Sequence, residues 1–348
     1  MIPAVQPGGR SPRLMLVSAS GDLGHGSRID LGDLLKPGDL VVANTAATLP
    51  ASLTGVHDRS GLPIEVRLAA WGTLGDPRRF VAVLFGAGDY RTRTEDRAPP
   101  PPVRPGDGLS LGPMRATLEQ CLDHPRLASL RFDGGHDVIL AGIAAHGRPV
   151  QYAHVPKPLA LWDVWTAVAG RPLAFEPPSA GFALDWRTVT RWRERGVGFA
   201  TLEHAAGLSS TGDAELDRRL PLDEGYAIPD TTAAAIAATR RRGGRIAAIG
   251  TTVVRALEAA ADADGTVRAG SGVATGRITA RSPIRVVDAI LSGVHAPGES
   301  HYELLGAFAD ADTLWGMTNA LAKAGYRSHE FGDFVLIERK LGGETIAA

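Results

Sequence analysis

A strand, a tight turn and a helix are encoded in one stretch of this sequence, Arg245-Ile-Ala-Ala-Ile-Gly250-Thr251-Thr252-Val-Val-Arg255-Ala-Leu-Glu258-Ala-Ala-Ala261. The apolar run 246–249 has strand length, Gly250 interrupts it, and the apolar residues that follow recur at helical spacing. We expect Thr251 or Thr252 to cap the helix, leaving unpaired N–H groups and the positive end of the helix dipole beyond the strand. Open α/β sheets bind anionic or polar small molecules at such points. The stretch therefore predicts an α/β fold with a ligand site at this turn.

The same pattern has a plainer interpretation. Arg255 and Glu258 lie three residues apart on one helix face, where they either pair with each other or face a ligand. An ordinary strand–helix unit with a capped helix and a solvated ion pair would show the same residues. Pattern alone leaves both interpretations open.

Composition excludes several function classes. The chain has 348 residues, 44% hydrophobic and 22% charged, which is enough for a sizeable core and two domains. Its net charge of −1 creates no global field for nucleic acid, so RNA binding would need a local patch. A single cysteine, Cys121, excludes an internal disulfide and a cysteine-based zinc site. No apolar run of membrane-spanning length or signal core occurs, so we expect no membrane association and a cytoplasmic location.

Strands on either side of a central segment predict one α/β domain built from both ends of the chain. Strands are expected at 13–17, at 40–43, which ends at Asn44, and at 197–204, which ends with Glu203 and His204. A carboxylate and an imidazole side by side can form a general base, but neighbours along a strand point to opposite faces. Only one of the two is therefore expected to face the site.

The central segment has a different texture. Short alternating runs separated by Gly, Asp and Pro predict a small β-barrel or sandwich. These runs are 64–68, 80–84, 109–111, 115–118, 127–132 and 138–143. We expect an α/β domain at 1–55 and 153–348 with an inserted β-barrel domain at 56–152. After it, the helical period at 159–168 predicts a helix whose Trp162 and Trp165 anchor the core.

In order and spacing, nine segments of this chain resemble one known family, the S-adenosylmethionine:tRNA ribosyltransferase-isomerases of queuosine biosynthesis (the QueA family). The resemblance is carried by residues 34–45, 49–55, 178–181, 201–202, 224–226, 249–258, 287–291, 295–297 and 325–333. It implies a discontinuous α/β domain interrupted by a β-barrel, the same organisation that the strand patterns predict.

The resemblance also implies a reaction. S-adenosylmethionine acts as cosubstrate and donates its ribosyl carbons to the aminomethyl group of a 7-deazaguanine base in tRNA, giving epoxyqueuosine and releasing adenine and methionine. No metal is implied. The chemistry needs a base for the proton on the carbon beside the sulfonium, and a donor that helps adenine leave.

Site residues follow from the matching segments. His295 is the first candidate base, since an imidazole can be neutral near pH 7 and this one lies in a loop beyond a strand. The other catalytic candidates are His204, Glu203 and Glu224. The candidates for binding S-adenosylmethionine are Asn44, Ser179, Gly181, Gly250, Thr251, Thr252, Arg255 and Asp333. Two basic clusters are candidates for tRNA phosphates, 191–195 and 240–245.

The chain departs from the family pattern at several polar positions. Asn44-Thr-Ala-Ala47 stands where the family has Asn-Asp-Thr-Arg, and the histidine of the segment at 201 is displaced by one to His204. Besides the family reaction on tRNA, two alternatives therefore stay open: an enzyme that uses S-adenosylmethionine on a small-molecule acceptor, and a non-catalytic binding paralogue. The chain is expected to be a monomer or a homodimer.

Overall fold

A computed structural model describes residues 2–7, 11–72 and 76–340. It contains a nine-stranded sheet and a closed six-stranded barrel, which confirms the predicted α/β architecture with a β-barrel. In chain order its strands are β1 (Ile2–Pro3), β2 (Arg13–Val17), β3 (Leu23–Ser27), β4 (Leu40–Asn44), β5 (Ala47–Thr48), β6 (Ser52–His57), β7 (Pro63–Trp71), β8 (Arg79–Phe85), β9 (Gly108–Leu111), β10 (Met114–Cys121), β11 (Leu127–Phe132), β12 (Pro172–Ala174), β13 (Gly198–His204), β14 (Glu224–Ile228), β15 (Ile246–Ile249), β16 (Gly270–Ala274), β17 (Ala289–Gly293), β18 (Arg327–Ser328) and β19 (Phe334–Glu338). Its α-helices are α1 (Leu31–Leu34), α2 (His136–His146), α3 (Trp186–Glu194), α4 (Ala214–Asp217), α5 (Asp230–Arg241), α6 (Thr251–Ala259), α7 (Ser300–Leu305) and α8 (Ala311–Lys323).

The sheet is mixed, with a parallel centre. Its order is β16-β14-β13-β4-β15-β17-β19-β2-β3, and β13, β4, β15 and β17 run parallel to one another. Alternate residues of the central strands enter two different cores: Val42 and Ala248 pack with α6 and α8, whereas Val41 and Ala247 pack with α3. Burial on both faces explains why these strands read as continuous apolar runs.

The strand–turn–helix at the centre forms as predicted, but its cap differs. The residue at the helix N-cap is Gly250, with φ of +96° and no side-chain cap, so the expected cap by Thr251 or Thr252 is wrong. Gly250 turns the chain in one residue, because only glycine adopts this backbone conformation without strain. Both threonine hydroxyls are therefore released from capping and lie in the first turn of α6.

The barrel has the strand order β10-β11-β8-β7-β6-β9 and lies between Ser52 and Phe132. The expected strand at 138–143 is wrong, because these residues belong to helix α2. A short apolar run does not distinguish strand from helix, and here Ile139 and Ile143, four residues apart, pack together into the barrel core. The expected domain boundary between residues 55 and 56 falls inside β6. We propose that the inserted unit begins at Ser52.

The expected helix at 159–168 is also wrong. Only Leu161–Val164 forms a short 3₁₀ turn. Trp162 is 77% exposed and Trp165 is 43% exposed, so neither anchors the core. Val164 is buried instead, and the Trp165 indole nitrogen donates a hydrogen bond to the Thr48 carbonyl at 2.9 Å. Across the described chain, the helices are too short or too polar to cross a membrane.

Candidate active site

A pocket opens at the carboxyl ends of β15 and β17, beside the first turn of α6. Its lining comes from segments far apart in sequence: 176–180, 206–209, 250–252, 277–278, 292–293 and 300–301, together with Pro221, Glu224, Arg255, His295 and Leu304. Carboxyl ends of parallel strands are where ligands bind in open α/β sheets. The position of the pocket therefore agrees with the site expected from the strand–turn–helix stretch.

Gly250, Thr251 and Thr252 form one wall of this pocket. The first N–H groups of a helix have no carbonyl partner within the helix, and the helix dipole places partial positive charge beside them. A Cβ atom at Gly250 would come within 3.3 Å of the Ala180 methyl group, in addition to its positive φ. This wall is suited to a carboxylate or to hydroxyl groups of a ligand.

Two histidines also line the pocket, and a glutamate contacts one of them. The Nδ1 atom of His295 lies 3.1 Å from a carboxylate oxygen of Glu299, and its ring stacks on His301 with 4.6 Å between centroids. Burial, reinforced by the neighbouring His295, lowers the pKa of His301 to about 3. Burial alone would raise the pKa of Glu299, but the hydrogen bond with His295 lowers it. His301 is thus a neutral pocket residue that the sequence analysis did not select, although it lies only six residues after His295, in the first turn of α7.

The floor of the pocket holds a buried ion pair. Arg255 Nε donates to Glu224 at 3.0 Å, and its other nitrogens donate to the carbonyls of Leu222, Ala274 and Gly276. Glu224 also accepts a hydrogen bond from the Gly207 N–H at 2.6 Å. Arg255 and Glu258 do not pair, because Glu258 binds backbone N–H groups 285–287.

His204 and Glu203 lie outside the pocket lining. His204 is completely buried, with its Nε2 atom 3.4 Å from Glu224, and burial lowers its pKa to about 4. It is therefore neutral at pH 7. Glu203 points to the other side of β13 and pairs with Arg171 at 2.6 Å. The two side chains thus lie on opposite faces of β13, as the alternation of a strand requires, and neither lines the pocket.

Three further binding candidates have structural contacts instead of a place in the lining. Asn44 joins β4 to β13 by accepting from the His204 N–H at 3.0 Å and donating to the His204 carbonyl at 2.9 Å. Asp333 accepts from the N–H groups of Arg13 and Arg327 at 2.8 and 2.7 Å. A Cβ atom at Gly181 would meet the Thr166 methyl group at 2.8 Å. Ser179, in contrast to these three residues, lines the pocket.

The two basic clusters lie at the opposite edge of the sheet, just before the amino ends of β13 and β15. Arg191 and Arg195 pair with Asp33, and Arg245 pairs with Asp39 at 2.8 Å and with Glu338 at 2.6 Å. Arg193, Arg241 and Arg242 of the same clusters are exposed. Neither cluster contributes to the pocket lining.

Glu176 is a pocket residue that the sequence analysis missed. It is 7% exposed, and it accepts hydrogen bonds from the Tyr152 hydroxyl and from the Ser209 N–H at 3.0 Å. Burial raises its pKa from an ordinary value of 4.5 to about 7. The only sequence signal was its position two residues before the Pro178–Gly181 segment.

Glu176→Gln is expected to stabilise the ligand-free protein at alkaline pH. The folded-state pKa of Glu176 lies above its unfolded value, so the carboxylate costs stability as pH rises through the window from 4.5 to about 7. The variant should exceed the wild type by on the order of 3 kcal/mol at pH 8, and the difference should vanish near pH 4.5. Urea denaturation at the two pH values measures this. A stability difference that is the same at both would contradict the raised pKa.

Within the part of the chain that the structure describes, one group has the composition of a metal site. His154, His329 and Glu330 place their ligand atoms within 4.8 Å of one another. These side chains contact one another directly. His154 Nε2 lies 3.3 Å from Glu330, and the His154 ring stacks on His329 with 4.4 Å between centroids. We interpret the group as an ion pair with a stacked imidazole.

One family of known proteins matches almost the whole chain. The sequence model of the family described as queuosine biosynthesis protein matches residues 4–337. The chain belongs to this family. A Moorella thermoacetica protein named S-adenosylmethionine:tRNA ribosyltransferase-isomerase is 29% identical over 96% of this chain and 94% of its own length. A Brucella ovis protein of the same name is 32% identical over 89% of this chain and 86% of its own.

A solved structure supports the fold of this queuosine biosynthesis family member. The crystal structure of S-adenosylmethionine tRNA ribosyltransferase from Thermotoga maritima aligns with a TM-score of 0.51, at 23% identity, over 97% of this chain and 96% of that chain. At this identity the likeness establishes the architecture.

Proposed function

We propose that this protein transfers and isomerises the ribosyl unit of S-adenosylmethionine onto 7-aminomethyl-7-deazaguanine in tRNA, releasing adenine and methionine. Membership of the queuosine biosynthesis family and the names of full-length relatives support this reaction. The observation that carries it is one pocket that joins a helix N-terminus to a carboxylate-bound histidine. A tRNA substrate favours a cytoplasmic site of action.

In this proposal His295 is the base. Glu299 holds the Nδ1 side of the imidazole, which leaves Nε2 free to take a proton from the carbon beside the sulfonium. The positive sulfur stabilises the carbanion that results. His301, stacked on the same ring and kept neutral by burial, adds no positive charge beside this base.

The first turn of α6 is the proposed binding site for a polar part of S-adenosylmethionine, either the methionine carboxylate or the ribose hydroxyls. The N–H groups and the hydroxyls of Thr251 and Thr252 supply donors there. Arg255 is already committed to Glu224 and to carbonyl groups. We therefore assign to Arg255 and Glu224 the shaping of the pocket floor.

The reaction is tested by incubating the purified protein with S-adenosylmethionine, with and without tRNA that carries the aminomethyl-deazaguanine. We expect adenine and methionine to appear only when this tRNA is present, in equal amounts. Adenine release that does not depend on tRNA would point to a small-molecule acceptor. Binding of S-adenosylmethionine without any adenine release would point to a non-catalytic paralogue.

A further inference from the structure

The buried carboxylates of this protein fall into two kinds. Five Asp and Glu residues are buried in the described chain: Asp39, Glu65, Glu176, Glu224 and Asp333. Four of them pair with arginine: Asp39 with Arg245, Glu65 with Arg67 and Arg97, Glu224 with Arg255, and Asp333 with Arg13. Glu176 forms no ion pair with any residue of the described chain. A buried glutamate without a countercharge is rare in proteins.

The groups that contact Glu176 do not neutralise its charge. Its two hydrogen-bond donors, the Tyr152 hydroxyl and the Ser209 N–H, are neutral. The nearby charge of Glu330 is negative and adds to the effect of burial on Glu176. Glu330 in turn has its own partner, His154. The region around Glu176 therefore favours a positive charge that the protein itself does not supply.

Glu176 also lines two cavities. It lines the main pocket together with Gly250 and His295, and it lines a small adjoining cavity together with Tyr152 and Glu330. A group bound at Glu176 would therefore lie in the same pocket as His295, the proposed base.

We propose that Glu176 is the binding site for the primary ammonium group of the acceptor base, and that its carboxylate takes one proton from that ammonium before the amine reacts. The inference rests on the proposed function, which supplies an aminomethyl acceptor. We assign the carboxylate to the acceptor, and not to the sulfonium or ammonium of S-adenosylmethionine, for two reasons. The proposed site for the polar part of the cosubstrate is the first turn of α6, and Glu176 also lines a second cavity that this turn does not reach.

The proton balance is simple. An alkylammonium has no electron pair for attack, so it must lose one proton before its nitrogen forms a bond to carbon. The carboxylate accepts this proton and becomes a neutral carboxylic acid, a form that burial stabilises. Tyr152 and Ser209 then keep the acid in place by their hydrogen bonds. The charged groups near this proton are Glu330 and, through Tyr152, Arg67.

Glu176→Gln tests the inference, because it keeps the shape of the side chain and removes its charge. The matched control is Glu215→Gln, which removes an exposed carboxylate that pairs with Arg219 outside the pocket. The acceptors are two RNA stem–loops that differ only in the target base, one with 7-aminomethyl-7-deazaguanine and one with guanine. Adenine release gives kcat and KM for the RNA, and calorimetry gives the Kd of S-adenosylmethionine.

We expect Glu176→Gln to lower kcat/KM for the aminomethyl RNA by roughly 100-fold at pH 7 and to leave the Kd of S-adenosylmethionine within about 3-fold. Raising the pH should restore part of the activity, because more of the amine is then neutral without help. The control variant should match the wild type, and the guanine RNA should release no adenine with any of the three proteins.

Three results would overturn the inference. Unchanged kinetics in Glu176→Gln would show that the carboxylate has no role with the acceptor. A loss of S-adenosylmethionine affinity equal to the loss in kcat/KM would assign the carboxylate to the cosubstrate. Wild-type protein that releases no adenine with the aminomethyl RNA would overturn the proposed function itself, and the inference with it.

Discussion

His295→Ala is expected to reduce tRNA-dependent adenine release by about 10²- to 10⁴-fold, the usual contribution of a positioned general base. The imidazole lines the pocket, and its hydrogen bond with Glu299 selects the form whose Nε2 atom accepts a proton. The Kd of S-adenosylmethionine should change little, because the proposed site for its polar part is the first turn of α6.

A matched control for this variant is His136→Ala, which removes an exposed histidine at the start of α2. It should keep full activity. His295→Ala with wild-type rates would exclude His295 as the base. A loss of S-adenosylmethionine binding in parallel with the rate would show that the histidine binds the cosubstrate and leave the proton transfer to another group.

Arg255→Met is expected to destabilise the protein by about 3–5 kcal/mol, the usual cost of removing one partner of a buried ion pair. Arg255 is 6% exposed and bridges Glu224 to the carbonyls of Leu222, Ala274 and Gly276. Methionine fills much of the same space but leaves the charge of Glu224 and three carbonyls without this donor. Urea denaturation at pH 7 measures the change in the free energy of unfolding.

The double variant Glu224→Gln, Arg255→Met separates the lost pairing from the lost packing. With the carboxylate neutralised, no uncompensated charge is left in the pocket floor, so the double variant should be more stable than Arg255→Met alone. A free energy of unfolding of Arg255→Met within about 1 kcal/mol of the wild-type value would contradict this prediction, because it would mean that the ion pair is accessible to water.

Patterns within a few consecutive residues predicted the elements whose formation depends mainly on those residues. The run 246–249, the glycine after it and the helical spacing that follows gave the central strand–turn–helix, because strand length and backbone freedom are properties of a few residues. The same patterns failed where contacts between residues far apart in sequence determine the secondary structure or the burial of a side chain. The run 138–143 became a helix because two isoleucines four residues apart complete the barrel core. In the segment 159–168 the buried apolar side chain is Val164, whereas Trp162 is exposed.

The candidate site shows the same division. Seven of the proposed site residues line the pocket: Ser179, Glu224, Gly250, Thr251, Thr252, Arg255 and His295. Asn44, Gly181, Glu203, His204 and Asp333 were equally plausible in sequence. Their separation from the pocket depends on which face of a strand or loop packs inward, and no single segment determines that.

The sequence by itself determined the family, the architecture and the position of the turn around which the pocket forms, because periodicity and motif order survive at about 30% identity. Only the tertiary structure decided the charge balance of the pocket. Glu176 is an ordinary glutamate in the sequence. It becomes a group with a pKa of about 7 because the fold buries it beside Tyr152 and gives every other buried carboxylate of the described chain an arginine. Burial and countercharge are sums over residues that the chain brings together from far apart, and they exist only after folding.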